Sequence, residues 1–207
     1  MKTLLKLNTS LYSNAGQSSR LADEFVVAWL GNHPGAQVIA RDLAREPVPH
    51  LTGERFQALL SKPDERGVTQ QAVVTYSDML IDELRRADVI VLGLPMYNFG
   101  VPSTLKAYFD HIARSGVTFR YTENGAVGLL QGKKVYVLAA RGGQYAGTAL
   151  DTETAYVRQF LGFLGMTDVE FVYAEGLALS PASKDAGIEQ AKRTIQTLNR
   201  YALRVAA

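Results

Sequence analysis

The 207-residue chain contains no cysteine. That single absence excludes disulfide scaffolds, thiolate metal sites, cysteine nucleophiles and dithiol redox chemistry, and it fits a reducing compartment. An excess of charge is missing too: 22 Lys and Arg stand against 20 Asp and Glu, a formal net charge of +2. Such a balance lacks the concentrated basic stripe of a nucleic-acid binder. No apolar run approaches the roughly 20 residues of a membrane span. The opening Met1-Lys2-Thr3-Leu4-Leu5 is interrupted by Lys6 and Asn8 before a signal-peptide core can form. A cytoplasmic protein without nucleic-acid or membrane partners is the expectation. Only His33, His50 and His111 are present, far apart and without metal-ligand spacing. There is no G-x-G-x-x-G for a dinucleotide, no G-x-x-x-x-G-K-S/T for a nucleoside triphosphate, and no G-x-S-x-G for a nucleophilic serine.

What is present is an ordinary globular balance, 47% hydrophobic and 20% charged, enough apolar surface to offset ordering entropy in one domain over residues 1–207. Short β-branched runs alternate with helical patterns. Thr3–Asn8 is an apolar run; Leu21, Phe25, Ala28 and Trp29 recur at helical spacing, with Gly31 as a stop. Ala36–Leu43 alternates with period two. Val73, Tyr76, Leu80, Leu84 and Ala87 mark an amphipathic helix, and Val89–Leu94, apolar throughout, reads as a strand covered on both faces. Leu105, Phe109 and Ile112 predict a helix with Ser103 as its N-cap, and Val135–Ala140 a further strand. Tyr156, Phe160 and Phe163 predict a helix between Asp151 and Gly165. Val169, Phe171 and Tyr173 alternate in a strand, and Ile188, Ala191, Ile195, Leu198, Ala202 and Val205 close with a helix. This βα alternation implies a doubly wound five-stranded parallel sheet with helices on both faces. Placing the two alternating strands at the edges gives the flavodoxin-like order 2-1-3-4-5. Arg45–Gln70 and Val117–Gly132 exceed what that fold needs.

In open α/β sheets ligands lie beyond the carboxyl ends of the strands, where the strand order reverses. Three loops meet that description. Asn8–Ser19 is rich in hydroxyls and amides and runs into a helix, so Ser10, Gly16, Gln17 and Ser18 suit a phosphate, or merely cap the helix. Pro95–Pro102 carries Met96, Tyr97, Asn98 and Phe99 between two prolines, a platform for a planar heterocycle or a loop packed on its own domain. Ala140, Arg141, Gly142 and Gly143 offer backbone N–H groups to such a ring's polar edge. Together the loops describe a mononucleotide site. With no thiol and no acid–base pair in view, a cofactor would carry the reaction.

At these loops the chain closely resembles the FMN-dependent NADH-azoreductases, which also act as quinone reductases. The resemblance rests on Ser10 with Gly16-Gln17-Ser18, Met96-Tyr97-Asn98-Phe99, Gly116–Gly125 (GVTFRYTENG), Arg141-Gly142-Gly143, Phe160–Phe163 and Ala174-Glu175-Gly176. It implies a flavodoxin-like homodimer with one FMN per subunit and sites at the subunit interface. It also implies NADH or NADPH as co-substrate and quinones and aromatic azo compounds as acceptors; three cofactor-lining loops without a catalytic side-chain constellation make ping-pong hydride transfer through the flavin the expectation. The phosphate would fall to Ser10 and Gly16–Ser18, and the ring to Met96–Phe99 and Ala140–Gly143. Phe99, Phe119, Tyr121, Tyr145 and Phe163 would wall the substrate pocket, some from the partner subunit. Departures from the family pattern are Gly16 and Ala140, where relatives often carry hydroxyls, and Gln144-Tyr145, where some relatives have a histidine. An electron-carrier flavodoxin and a flavin-binding module without turnover are the alternative readings. The neutral charge balance and the Val117–Gly132 insertion weigh against the carrier.

Overall fold

The computed structural model describes the backbone of residues 1–205 and the side chains of residues 1–200. Its elements run β1 (Thr3–Asn8), α1 (Gln17–Asn32), β2 (Gln37–Asp42), α2 (Gly53–Leu60), α3 (Val68–Arg86), β3 (Val89–Pro95), α4 (Ser103–Ile112), β4 (Phe119–Thr122), β5 (Gly125–Gly128), β6 (Lys134–Ala140), α5 (Thr152–Phe163), β7 (Asp168–Ala174) and α6 (Pro181–Val205). Five strands form one parallel sheet in the order β2-β1-β3-β6-β7. Counted among themselves they read 2-1-3-4-5, as the alternation predicts. β3 is buried at all seven positions, which is why it takes the centre. β2, exposed or half-exposed at most positions, takes an edge.

Alternation along the strands divides the core in two. Leu5, Leu7, Ile90, Leu92 and Leu94 face α3, α4 and α5 through Leu80, Ile81, Phe109, Val157 and Leu161. Leu4, Val89 and Val91 face α1 and α6 through Phe25, Trp29, Ala191 and Ile195. Each of the larger aliphatic and aromatic side chains contributes about 1.5–3 kcal/mol by leaving water. The sheet is thereby clamped, so the loops at its carboxyl end stand on a fixed base.

Several boundaries differ from the sequence expectation. α1 passes through Gly31 and ends at His33, φ −133°, because Pro34 disfavours helix in the residue before it. Ser103 is the first helical residue of α4 rather than its N-cap. Pro102 holds that position, and its carbonyl accepts from the Leu105 and Lys106 N–H groups at 2.9 and 3.1 Å. α3 begins at Val68, a turn before its apolar periodicity shows. Asp151 does cap α5, accepting from the Thr154 N–H at 3.1 Å, and Gly165 follows the helix in the left-handed region, φ +101°. The side chains of Ala202 and Val205 lie outside the described residues. Of the two surplus stretches, Arg45–Gln70 supplies α2 with one short 3₁₀ turn at Pro63–Glu65. Val117–Gly132 supplies the antiparallel β4–β5 hairpin, which the Leu130 N–H pins to the Leu164 carbonyl at 2.8 Å.

Candidate active site

Three loops meet beyond the carboxyl ends of β1, β3 and β6. In the first, the Thr9 hydroxyl and N–H both donate to the Gly93 carbonyl, at 2.8 and 3.2 Å, fixing the exit from β1 against β3. The Ser10 Oγ accepts from the Tyr12 N–H at 3.2 Å. A short 3₁₀ turn over Ser13–Ala15 then leads to Gly16, the N-cap of α1. The first helical donor to find an acceptor is Arg20, on the Gly16 carbonyl at 3.0 Å. The Gln17, Ser18 and Ser19 N–H groups therefore have no acceptor among the described residues, as the geometry of any helix start dictates. The Ser18 and Ser19 hydroxyls are buried without a partner beside them. Here Gly16 is a requirement: a Cβ on it would stand 2.1 Å from the Ser10 Oγ. The result is a cradle of neutral donors at the positive end of a 16-residue helix, which suits a phosphate without a lysine.

The second loop is strained. Tyr97 and Gly100 exchange two backbone hydrogen bonds of 3.0 Å, forcing Asn98 and Phe99 between them to φ +51° and +61°. Left-handed backbone at a bulky residue such as Phe99 costs on the order of 1–3 kcal/mol. It is held by neighbours: the Thr152 hydroxyl donates to the Phe99 carbonyl, and the Met96 N–H donates to the Ala140 carbonyl at 3.0 Å. What the strain maintains is an aromatic ring 52% exposed at a strand end. The Tyr97 hydroxyl turns back to the first loop, accepting from the Leu11 N–H at 3.3 Å and lying 3.4 Å from the Ser10 Oγ.

The third loop presents its backbone. The carbonyls of Arg141, Gly142 and Gly143 accept from the N–H groups of Leu177, Ala178 and Gly176, at 3.1, 2.9 and 2.8 Å. Three successive carbonyls thus face one neighbouring segment. In a planar trans peptide each N–H is antiparallel to the preceding C=O, so the N–H groups of Gly142, Gly143 and Gln144 all face away from that segment. None has an acceptor among the described residues. Three donors on one side of a turn favour negative charge there. The Tyr145 ring lies over Gly143, where a Cβ would come within 2.5 Å of it, and meets Phe99 edge-on at 5.5 Å between centroids. The second and third loops therefore share a wall.

Arg141 itself has a different task from its neighbours. Its guanidinium is fully buried, donating to Asp151 at 2.8 Å, Thr154 at 2.9 Å and Glu175 at 3.3 Å, and lying over the Tyr173 ring. Its N–H and carbonyl are also engaged. Burial opposes its charge, but these carboxylates outweigh it and raise its pKa. Asp151 is held below the ordinary carboxylate range: burial pushes it up, and the bonds from Arg141 and Thr154 more than reverse this. Glu153 goes the other way. Both its oxygens are buried without a hydrogen bond, and the Arg141 Nε stands 3.6 Å off. Desolvation therefore dominates and pushes its pKa up to about 8. The sequence gives little warning of this cluster, because its members lie up to 34 residues apart.

The structure brings Ser10, Gly16, Gln17, Ser18, Met96, Tyr97, Asn98, Phe99, Ala140, Gly142, Gly143 and Tyr145 to one end of the sheet. It does not bring Phe119, Tyr121 and Phe163 there. α5 starts beside Phe99 and runs back for 12 residues, about 17 Å at 1.5 Å per residue. Phe163 at its far end packs on Phe119 at 4.3 Å, and Phe119 on Tyr121 at 5.5 Å. Phe119 is buried and belongs to the core, whereas Tyr121 is 73% exposed. A cleft of about 490 Å³ borders Phe99 at the carboxyl end, lined also by His50, Lys106, Glu153 and Tyr156.

The chain matches the family described as "Flavodoxin-like fold" over residues 1–198. It is 54% identical over 196 residues to an FMN-dependent NADH:quinone oxidoreductase of Cellvibrio japonicus, covering 95% of this chain and 98% of that one. To a protein of the same description from Burkholderia lata it is 52% identical over 195 residues, covering 94% and 98%. Among solved structures, an azoreductase from Bacillus anthracis superimposes with a TM-score of 0.85 at 28% identity, covering 95% of this chain and all of that one. By fold, by the arrangement at the strand ends and by these similarities, the chain belongs to the flavodoxin-like-fold family that includes the FMN-dependent NADH:quinone oxidoreductases.

Proposed function

We propose that the protein is an FMN-dependent NADH:quinone oxidoreductase that also reduces aromatic azo compounds. The observation that carries this reading is the pair of unpaired backbone donor sets, Gln17–Ser19 and Gly142–Gln144, flanking the exposed Phe99 platform. A phosphate fits the first set, a planar ring the platform, and the ring's carbonyl edge the second. Bound FMN would supply the two-electron chemistry that no side chain here possesses.

The chain's own contribution is position and charge. The N–H groups of residues 142–144 favour negative charge on the ring edge and are preorganised by the 176–178 segment. Phe99 and Tyr145 wall the open face, and the cleft beside Phe99 has the size of a small-molecule site. Asp151 and Glu175 are tied to Arg141 and Glu153 is buried, so none of these carboxyls is free to deliver a proton, and in this reading water supplies it. NADH and the acceptor share one face and take turns on it, which makes the kinetics ping-pong: double-reciprocal plots against NADH and menadione should be parallel. Intersecting lines overturn the shared face. Purified protein that neither shows nor takes up FMN overturns the assignment. Protein that binds FMN yet leaves NADH unoxidised in the presence of menadione or methyl red is a carrier.

The reading includes a homodimer. Tyr121 and Phe163, which the family resemblance places at the substrate, are at the opposite end of their own sheet, so in this reading they serve a partner's site. The exposure of Tyr121 at the hairpin supports it; a monomeric mass at micromolar concentration refutes it. No described helix is long and apolar enough to cross a membrane; the reading includes a cytoplasmic location, which a dependence on NADH supports.

A further inference from the structure

One oxygen of Glu175 carries an unusual load. Its Oε1 accepts from the N–H groups of Tyr145 and Ala146 at 2.8 and 2.9 Å and from the Arg141 guanidinium at 3.3 Å. These three donors lie at both ends of the segment whose N–H groups face away from residues 176–178. Arg141 precedes it, Tyr145 and Ala146 follow it, and Glu175 begins the chain segment that takes up its carbonyls. Charge-assisted bonds of this kind are about twice as strong as neutral ones. Without them the carbonyls of residues 141–143 keep their bonds to the N–H groups of residues 176–178, but the segment loses the anchor that stops the turn from opening after Gly143.

We propose that Glu175 is a positioning residue: it holds the turn closed, and so aims the Gly142, Gly143 and Gln144 N–H groups at the polar edge of the bound ring. The proposal rests on the flavin reading given above. Glu175 touches neither ring nor substrate in this scheme and acts through the turn alone. Arg141 fixes Glu175 in place, and Asp151 fixes Arg141, so the chain of support runs from the cap of α5 to the donor set.

The test is E175Q, read first in flavin-free protein. Hydrogen exchange at the Tyr145 and Ala146 amides should quicken at least about ten-fold, since each loses a charge-assisted bond. A fluorescence titration with FMN should then show affinity reduced about ten-fold, the equivalent of one such bond. D168N, at the opposite end of β7 where Asp168 pairs with Lys134, should leave FMN affinity unchanged. If E175Q does not fold, E175D keeps the charge but withdraws the oxygen, and the same two readouts apply. Unchanged exchange, or faster exchange with unchanged FMN affinity, overturns the proposal. Wild-type protein that fails to bind FMN overturns the function instead, and leaves the exchange result to decide whether Glu175 holds the turn.

Discussion

The two ends of the central sheet are built on opposite rules. At the amino end the β4–β5 hairpin, the end of α5 and the turn at Gly165 close on one another: the Phe119 and Phe163 rings pack at a tilt, and Gly128 lies so near Gly165 that a Cβ would fall 2.0 Å from its nitrogen. At the carboxyl end six N–H groups, at residues 17–19 and 142–144, have no acceptor among the described residues, and Phe99 is held in a left-handed conformation. Folding alone would favour the first rule everywhere, because unpaired donors and strained backbone both cost stability. The contrast locates function more sharply than any single motif: the open end is paid for by the closed one.

Substitutions at glycine separate the two ends most strongly. Gly128→Ala should destabilise by about 3 kcal/mol, since the clash is with the backbone of Leu164 and Gly165 rather than with a movable side chain. Chemical denaturation should report this, while FMN affinity of the folded fraction stays at the wild-type value. A matching loss of FMN affinity would mean that the ends are coupled.

The buried carboxyl of Glu153 tests the closed scaffold behind the open end. Its pKa in the fold, about 8, exceeds the ordinary carboxylate value, so between those two pH values the folded state holds a proton that the unfolded state has released. Stability from this group is present in full at acid pH and is lost as the pH rises through about 8. Glu153→Gln should leave stability near wild type at about pH 5 and raise it by on the order of 2 kcal/mol at about pH 9. An equal stabilisation at both pH values would show that Glu153 is ionised throughout, and no effect at either that it stays neutral.

The sequence makes the closed parts of the molecule legible and the open parts legible only as composition. Strand order follows from which runs are wholly apolar, and Val89–Leu94 announces its central place without help. The glycines and hydroxyls of the three loops likewise mark the carboxyl end. What stays hidden depends on long-range pairing. Glu175 and Arg141, 34 residues apart, meet only once β6 and β7 pair, and Gln144 joins the donor set only because residues 176–178 take the carbonyls before it. Local pattern also misplaces what the backbone decides: Ser103 has the chemistry of a cap, but Pro102 has the geometry. The aromatic residues Phe99 and Phe163 look equivalent in sequence, and the direction of α5 separates them.

At the open end, Gly16→Ala should weaken FMN binding about ten-fold or more, because Ser10 must leave its place for the new methyl group to fit. Stability should fall as well, by about 1–3 kcal/mol, because Ser10 is buried and its Cβ as well as its Oγ stands in the way. Equal affinity in a fluorescence titration would remove the first loop from the site.

The smallest effect distinguishes what Tyr145 does from what its hydroxyl could do. In the fold its ring covers Gly143 and meets Phe99 edge-on, while its N–H, not its phenol, is the group bound by Glu175. Tyr145→Phe should therefore alter stability by less than about 0.5 kcal/mol and leave kcat for menadione nearly unchanged. Tyr145→Ala should open the wall between the second and third loops, and shift the ratio of kcat/KM toward bulkier azo acceptors over menadione. If the phenylalanine variant shows a large fall in kcat with KM preserved, the hydroxyl supplies an interaction specific to the transition state. The open end would then contain a catalytic side chain after all, and the division between a scaffold that closes and a backbone that merely presents would be too simple.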